Sequence, residues 1–221
     1  NKENKKERAL IRIVTPSTFI DEIDSTGQAS YALSIFITNY TRENKKEEIR
    51  IKGWKECTYS IGMTAIDWST NGNDSVVYEA HDKKCDNTYA MNEVYRFIHG
   101  FNPKEIIVNY KSSFKFEEED PSKQDATLSE ESFQDFLKKE LELQRFSIAK
   151  IGMASKVETD LNYQIGVLER VYPKTGMLPV VDYLQLDSKI HAMTSFVQLL
   201  QFAYERDARV LHSLEKPGLW F

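Results

Sequence analysis

The amino-acid sequence predicts an α/β layer architecture, a mixed sheet flanked by helices and followed by a C-terminal helical segment. Three observations carry that expectation. First, residues 59–78 hold an apolar run (Ile61, Met63, Ala65, Ile66), the turn signal Asn71-Gly72-Asn73-Asp74 and a second β-branched run, Val76-Val77-Tyr78. Asn-Gly between two such runs signals a hairpin, because both residues tolerate the positive φ of a tight turn. Second, the hydrophobic period then changes: Ala90, Val94, Phe97, Ile98 and Phe101 fall on a single helical face. Third, a short apolar strand at residues 106–108 follows that helix. A crossover helix between strands favours a parallel return to the sheet.

In chain order, residues 10–14 read as a short strand that Pro16 must end, since proline cannot donate to a ladder. Residues 31–40 form the first full strand, β-rich at almost every position and bounded by Gly27 and the charged stretch 42–48. Residues 49–55 extend an edge, and the hairpin supplies the second and third strands. Asp86 or Asn87 is placed to cap the helix that follows and Gly100 to stop it. Residues 111–126 are linker-like, with the acidic run 117–120 ahead of Pro121. Thr127-Leu-Ser-Glu130 reads as a capping box opening a helix with Phe133, Phe136, Leu137 and Leu141 on one side. Residues 146–151 give a last short strand. A third helix begins near Asp160, with Leu161, Ile165, Leu168 and Tyr172 in phase, and ends at Pro173.

The character shifts beyond Gly176. Residues 188–204 read as a long helix whose apolar residues cover far more than one stripe. Such a helix must be buried on several sides, and about 25 cal/mol per Å² opposes leaving that surface in water. Little chain follows it, so its remaining cover is expected downstream, with Phe196, Leu200, Phe202 and Tyr204 as inter-domain packing residues. A domain boundary is placed near residue 175.

Composition bounds the function. The chain has 221 residues, 41% hydrophobic and 29% charged, with a formal charge of −5; its pI of about 5.5 argues against a dedicated nucleic-acid or anionic-membrane surface. Cys57 and Cys85 form no CxxC and have no His pair at zinc spacing, so neither a metal site nor a disulfide framework is indicated, and a reducing, non-secreted compartment is expected. Asn39-Tyr-Thr41 and Asn73-Asp-Ser75 match glycosylation sequons, but nothing else points to secretion. No apolar run approaches the roughly 20 residues that span a bilayer. The polar opening, without a methionine, suggests a piece of a longer protein.

Three strands, a helix, a strand, a helix and a fifth strand is the order of the ribonuclease H-like fold. That fold often hosts two-metal nucleases, which need several converging carboxylates. Here the first strand has no acid, and Asp67, late in the second, reads as a strand-end residue. Asp74, Glu79, Glu93 and Glu105 lie in expected turns or beside polar helix positions. His81, His99, His191 and His212 are scattered, and no P-loop, glycine-rich cradle or GxSxG elbow occurs. The reading is non-catalytic, without cofactor or metal of its own.

Three segments resemble DNA mismatch-repair proteins of the MutS family. Arg8-Ala-Leu-Ile-Arg-Ile-Val-Thr-Pro-Ser-Thr-Phe-Ile-Asp21 is similar to the family's R-x-V-x-R-I-x-T-P-G-T segment, with Ser17 in place of glycine. Ile61-Gly-Met-Thr-Ala-Ile-Asp-Trp-Ser-Thr70 resembles its I-G-L-A-x-x-D-x-S-T-G hairpin, with Asn71 inserted before Gly72. Tyr183-Leu-Gln-Leu186, the helix through Phe202-Ala-Tyr-Glu-Arg-Asp-Ala-Arg-Val-Leu211, and Leu214-Glu-Lys-Pro217 resemble the start of its helical core and lever region, best in the divergent viral and organellar branch. Phe116-Glu-Glu118 matches the family's mismatch-wedging pattern only by composition, in an acidic stretch that would repel phosphates.

The resemblance implies that residues 1–28 close a mismatch-binding domain, 29–175 form a ribonuclease H-like connector and 176–221 begin the helical core. It implies a coupling module between mismatch-reading and ATPase domains, docking a MutL-type partner, with hinges at residues 15–28 and 173–179. For the parent protein it implies ATP and Mg, mismatched DNA and a dimer, with no membrane. The alternatives are a metal-dependent nuclease on the same fold, resting on Asp67, and a scaffold unrelated to repair.

Overall fold

The β-branched and aromatic run Tyr31–Tyr40 forms β1, the strand on which the sheet is built. The computed structural model describes residues 30–40, 54, 57–68, 74–83, 85–112, 129–206, 211 and 214–220. After β1 come β2 (Thr58–Asp67), β3 (Ser75–His81), α1 (Tyr89–Phe101), β4 (Glu105–Ser112), α2 (Glu130–Glu140), β5 (Ser147–Met153), α3 (Leu161–Val171), α4 (Val180–Leu184), α5 (Ile190–Arg206) and β6 (Gly218–Leu219). The strands form one sheet in the order β5-β4-β1-β2-β3-β6. β2 runs antiparallel to β1 and β3, while β4 pairs parallel with β1 and β5 parallel with β4. This is a mixed six-stranded sheet flanked by helices, in a ribonuclease H-like arrangement, as the order of elements predicts. The hairpin is present, with Ile66 opposite Ser75; its turn signal at residues 71–73 lies outside the described residues, as do the expected strand at 10–14, the hinge at 15–28 and Phe116-Glu-Glu118.

Alternation along the strands divides the interior into two layers. On one face Leu33, Ile35, Ile37, Ile61, Met63, Ile106 and Val108 pack with Val94 and Phe97 of α1 and Phe133 and Leu137 of α2. On the other, Ala32, Ile66, Val77 and Ile107 pack with Leu168 of α3, Leu184 of α4 and Met193, Phe196, Val197 and Leu200 of α5. The predicted helical faces of α1 and α2 are therefore the buried ones.

The caps differ in detail. Thr88 is the N-cap of α1, and the orphan N–H of Ala90 donates to Asp82 Oδ1 at 2.8 Å while Asp82 Oδ2 accepts from Tyr59 N at 2.7 Å. One carboxylate thus joins the start of α1 to β2. Left-handed Asn102, φ 44°, ends α1, rather than Gly100. Ser129 caps α2, accepting from Ser132 N at 3.1 Å, while Glu130 of the expected capping box accepts from Tyr110 Oη at 2.7 Å. Asp160 caps α3, accepting from Tyr163 N at 2.9 Å.

The largest correction concerns α5. Most of its apolar residues are covered by the chain itself: Phe196 is 0% and Leu200 1% exposed, against the sheet, and Phe202 is buried beside Trp68. Only Tyr204 of the four expected inter-domain packing residues stands out, at 65% exposure. The physical reason is that the second sheet face needs a helix, and periodicity within α5 cannot report strands some 150 residues earlier. Residues after 175 thus share a core with the sheet. Leu168 and Tyr172 before the 173–179 stretch, and Val180 and Leu184 after it, lie in one cluster. β6 adds to the same sheet, parallel to β3.

Close approach makes this packing possible. A Cβ at Gly62 of β2 would lie 1.9 Å from the main-chain oxygen of His191 in the first turn of α5. Ser195 Oγ donates to Ser34 O of β1 at 2.8 Å, and Gln164 Nε2 of α3 donates to Thr194 Oγ1 at 3.0 Å. Gly62→Ala is expected to destabilise the chain by about 1–3 kcal/mol or more, whereas at Gly152, with nothing within 4 Å of an added Cβ, alanine should be tolerated within about 0.5 kcal/mol. Phe196→Ala should cost about 3–5 kcal/mol and Tyr204→Ala under about 0.5, both read from urea unfolding midpoints.

Candidate functional site

The acid singled out by the nuclease alternative is already engaged. Asp67, at the end of β2, is buried, and its Oδ1 accepts from Ser30 N at 2.9 Å, fixing the approach to β1. Glu93 accepts from Tyr78 Oη at 3.2 Å and pairs with Arg96 at 2.8 Å. Among the described residues, neither belongs to a group of three or more His, Cys, Asp or Glu side chains whose ligand atoms lie within reach of one another.

A different constellation forms where α5 meets the sheet. Glu79 and His81 are two residues apart on β3, so their side chains leave the same face. Gly62 of β2 lies opposite Glu79 in the register, which lets the start of α5 settle beside it. His191 arrives on that first turn. Glu79 Oε1 lies 2.9 Å from His81 Nε2 and 3.4 Å from His191 Nδ1. Its other oxygen accepts from Ala192 N at 2.8 Å. Because the first four N–H groups of a helix lack internal partners, Glu79 acts as a cap supplied from the sheet, with the favourable sign for the helix dipole.

The remaining ring nitrogens are also held. His81 Nδ1 lies 2.9 Å from Ser60 Oγ, and His191 Nε2 lies 3.4 Å from Tyr40 Oη. The two imidazoles meet edge to face, centroids 5.6 Å apart. Burial alone would push the Glu79 carboxyl up, but hydrogen bonds from His191 and the Ala192 N–H, with the charge of both imidazoles, hold it below the ordinary carboxylate range. Among the described residues, this is the one trio of His, Cys, Asp or Glu side chains with ligand atoms mutually within reach, 4.8 Å at most.

The expectation that the histidines are scattered thus holds for His99, whose ring lies tilted against Tyr95, and fails for His81 and His191; His212 lies outside the described residues. The expectation of no metal site rested on Cys–His spacing, which cannot see this trio. The available signal was Glu79-Ala-His81 directly after the predicted run Val76-Val77-Tyr78: the strand continues to His81, and its alternation aligns Glu79 with His81. A second feature is a cleft of about 950 Å³ between α3, α5 and the C-terminal segment, lined by Tyr163, Arg170, Tyr183, Tyr204 and Lys216 among others. Tyr172 Oη donates to Glu215 O at 2.9 Å between two of its lining residues. No helix among the described residues is long and apolar enough to cross a membrane.

Sheet order, strand directions and helices on both faces define an α/β protein with a ribonuclease H-like arrangement. No family model matches it. The chain is similar to a protein of Acanthamoeba polyphaga mimivirus described as a DNA mismatch repair mutS homolog, L359, with 20% identity over 232 residues. That similarity covers 97% of this chain but 18% of the relative, so the chain spans less than a fifth of the length of the curated relative it matches. It supports a MutS-like relationship at a distant level.

Removing the sheet-borne cap should be measurable. In the presence of a chelator, Glu79→Ala is expected to lower stability by about 1–2 kcal/mol, with faster hydrogen exchange at Ala192. Glu79→Gln, which keeps an acceptor for that N–H, should lose less.

Proposed function

We propose that this chain is the connector part of a MutS-like DNA mismatch repair protein, a non-catalytic body that passes movement between mismatch-reading and ATPase parts and offers a surface to a MutL-type partner. The observation that carries this reading is the similarity to the mimivirus mutS homolog along 97% of the chain. The ribonuclease H-like sheet, and the use of Asp67 as a backbone anchor that joins no metal-binding cluster among the described residues, support it.

Coupling requires a body that moves as a unit. Here α5 is fixed to β1 through Ser195, to β3 through Glu79 and to α3 through Thr194. Displacement of α5 by a neighbour would therefore carry the whole sheet. The surfaces suited to receive neighbours are the apolar groups left outside the two cores: Tyr204 at 65% exposure, with Met177 at 102% and Leu178 at 55%. In this reading ATP and Mg belong to another part of a longer, dimeric protein, and mismatched DNA is bound there too.

The test uses the longer protein and the chain side by side. Met177→Ser with Tyr204→Ser is expected to reduce the effect of a mismatch on ATP turnover by about fivefold or more, while the melting temperature of the 221-residue chain changes little. The wild-type chain should neither hydrolyse ATP nor cut DNA, RNA or hybrid with Mg²⁺ or Mn²⁺; either activity would remove the proposal, and cleavage would favour the nuclease alternative. Failure of the longer protein to capture a MutL-type partner would remove the docking role.

A further inference from the structure

We propose that Glu79, His81 and His191 form a binding site for a divalent cation of the zinc class, which clamps the first turn of α5 to β3. The site is separate from the coupling reading and stands without it. Donor chemistry comes first. Two imidazole nitrogens and one carboxylate oxygen make a set suited to zinc and its late first-row neighbours, whereas magnesium and calcium prefer oxygen shells. Ligand atoms about 2.0–2.1 Å from a tetrahedral ion stand roughly 3.3 Å from one another. The two Glu79 edges, 2.9 and 3.4 Å, already fall around that spacing. The last edge is at most 4.8 Å. His81, whose side chain is 53% exposed, has room to close it, leaving a fourth position open to water.

The outer partners point the same way. Metal-bound histidines usually donate their other ring N–H to a fixed acceptor, which sets tautomer and ring orientation. Both histidines have such a partner, Ser60 Oγ and Tyr40 Oη. A hydroxyl donates as readily as it accepts. With no ion, His81 Nε2 and His191 Nδ1 face Glu79 Oε1, and the Ser60 and Tyr40 hydroxyls meet the other ring nitrogens. With an ion, the hydroxyls accept, and the lone pairs of His81 Nε2 and His191 Nδ1 turn to the metal. The same side chains serve both states with little movement. Glu79 Oε2 retains the Ala192 N–H throughout. The trio contains one carboxylate, so it does not match the several acids of two-metal hydrolysis; its placement across β3 and α5 suits a clamp.

The experiment titrates Zn²⁺, and separately Co²⁺, into the full chain carrying Cys85→Ser, which removes the exposed thiol as a competing ligand. The expected result is one equivalent bound, a rise in Tm of about 2–4 °C or more, visible Co²⁺ bands of a tetrahedral site, and no such response to Mg²⁺. His81→Ala and His191→Ala should each abolish the bands, while His99→Ala leaves them intact. Ser60→Ala should weaken binding about 10–100-fold, an effect that a non-specific surface histidine site would not show. Because His81 is exposed at a strand end, its alanine variant is expected to keep the parent's circular dichroism, separating lost binding from lost folding. Absence of stoichiometric zinc binding, or Co²⁺ bands that survive both histidine substitutions, overturns the site.

Discussion

The first turn of α5 rests on the backbone of β2, and that near-contact sets how the second half of the interior is filled. A helix can come this close to a sheet only where a strand presents no side chain. Gly62 provides that opening, with the His191 carbonyl lying where a Cβ would stand. The neighbours follow from it. Glu79, across from Gly62 on β3, reaches the Ala192 N–H; one turn on, Ser195 reaches the carbonyl of Ser34. With the helix pinned at its start, Phe196, Val197 and Leu200 are directed onto the sheet. Burial at about 25 cal/mol per Å² then supplies most of the stabilisation, while the polar contacts fix the position.

Much of the fold was legible because its signals are local. Strand β1 is β-rich throughout, and α1 and α2 carry apolar residues at helical spacing, so type and order of elements follow from patterns a few residues long. The parts that were not legible are short or distant. β6 is two residues and α4 five, too few for any period to appear. Ser129 and Thr127 are both competent caps, and which one is used depends on where Phe133 and Leu137 must meet the sheet. The apolar circumference of α5 was plain, but the identity of its cover was not, since the covering strands lie far back in the sequence. The Glu79–His81 pair could have been suspected from strand alternation. His191, 112 residues beyond Glu79, could not.

The same welding bears on the proposed coupling role. A connector that flexed within itself would absorb displacement before it reached a neighbour. Here both layers are built on one continuous sheet, and the stretch around Gly176, with its positive φ of 69°, is an exposed excursion whose two ends return to a shared core. Bending at that point would not by itself separate the flanking helices. Any larger hinge in a longer protein would therefore work outside the body formed by the sheet and its five helices.

Filling one side of the sheet with a late helix also has a cost during synthesis. β1 to β4 and α1 are synthesised first, yet α5 emerges about eighty residues after β4, roughly 4–16 s later at ordinary translation rates. Through that interval Ile66, Val77 and Ile107 sit on a half-finished sandwich, open to water or to another nascent chain. A ribosome pausing before residue 190 would prolong the window in which this protein most needs a chaperone.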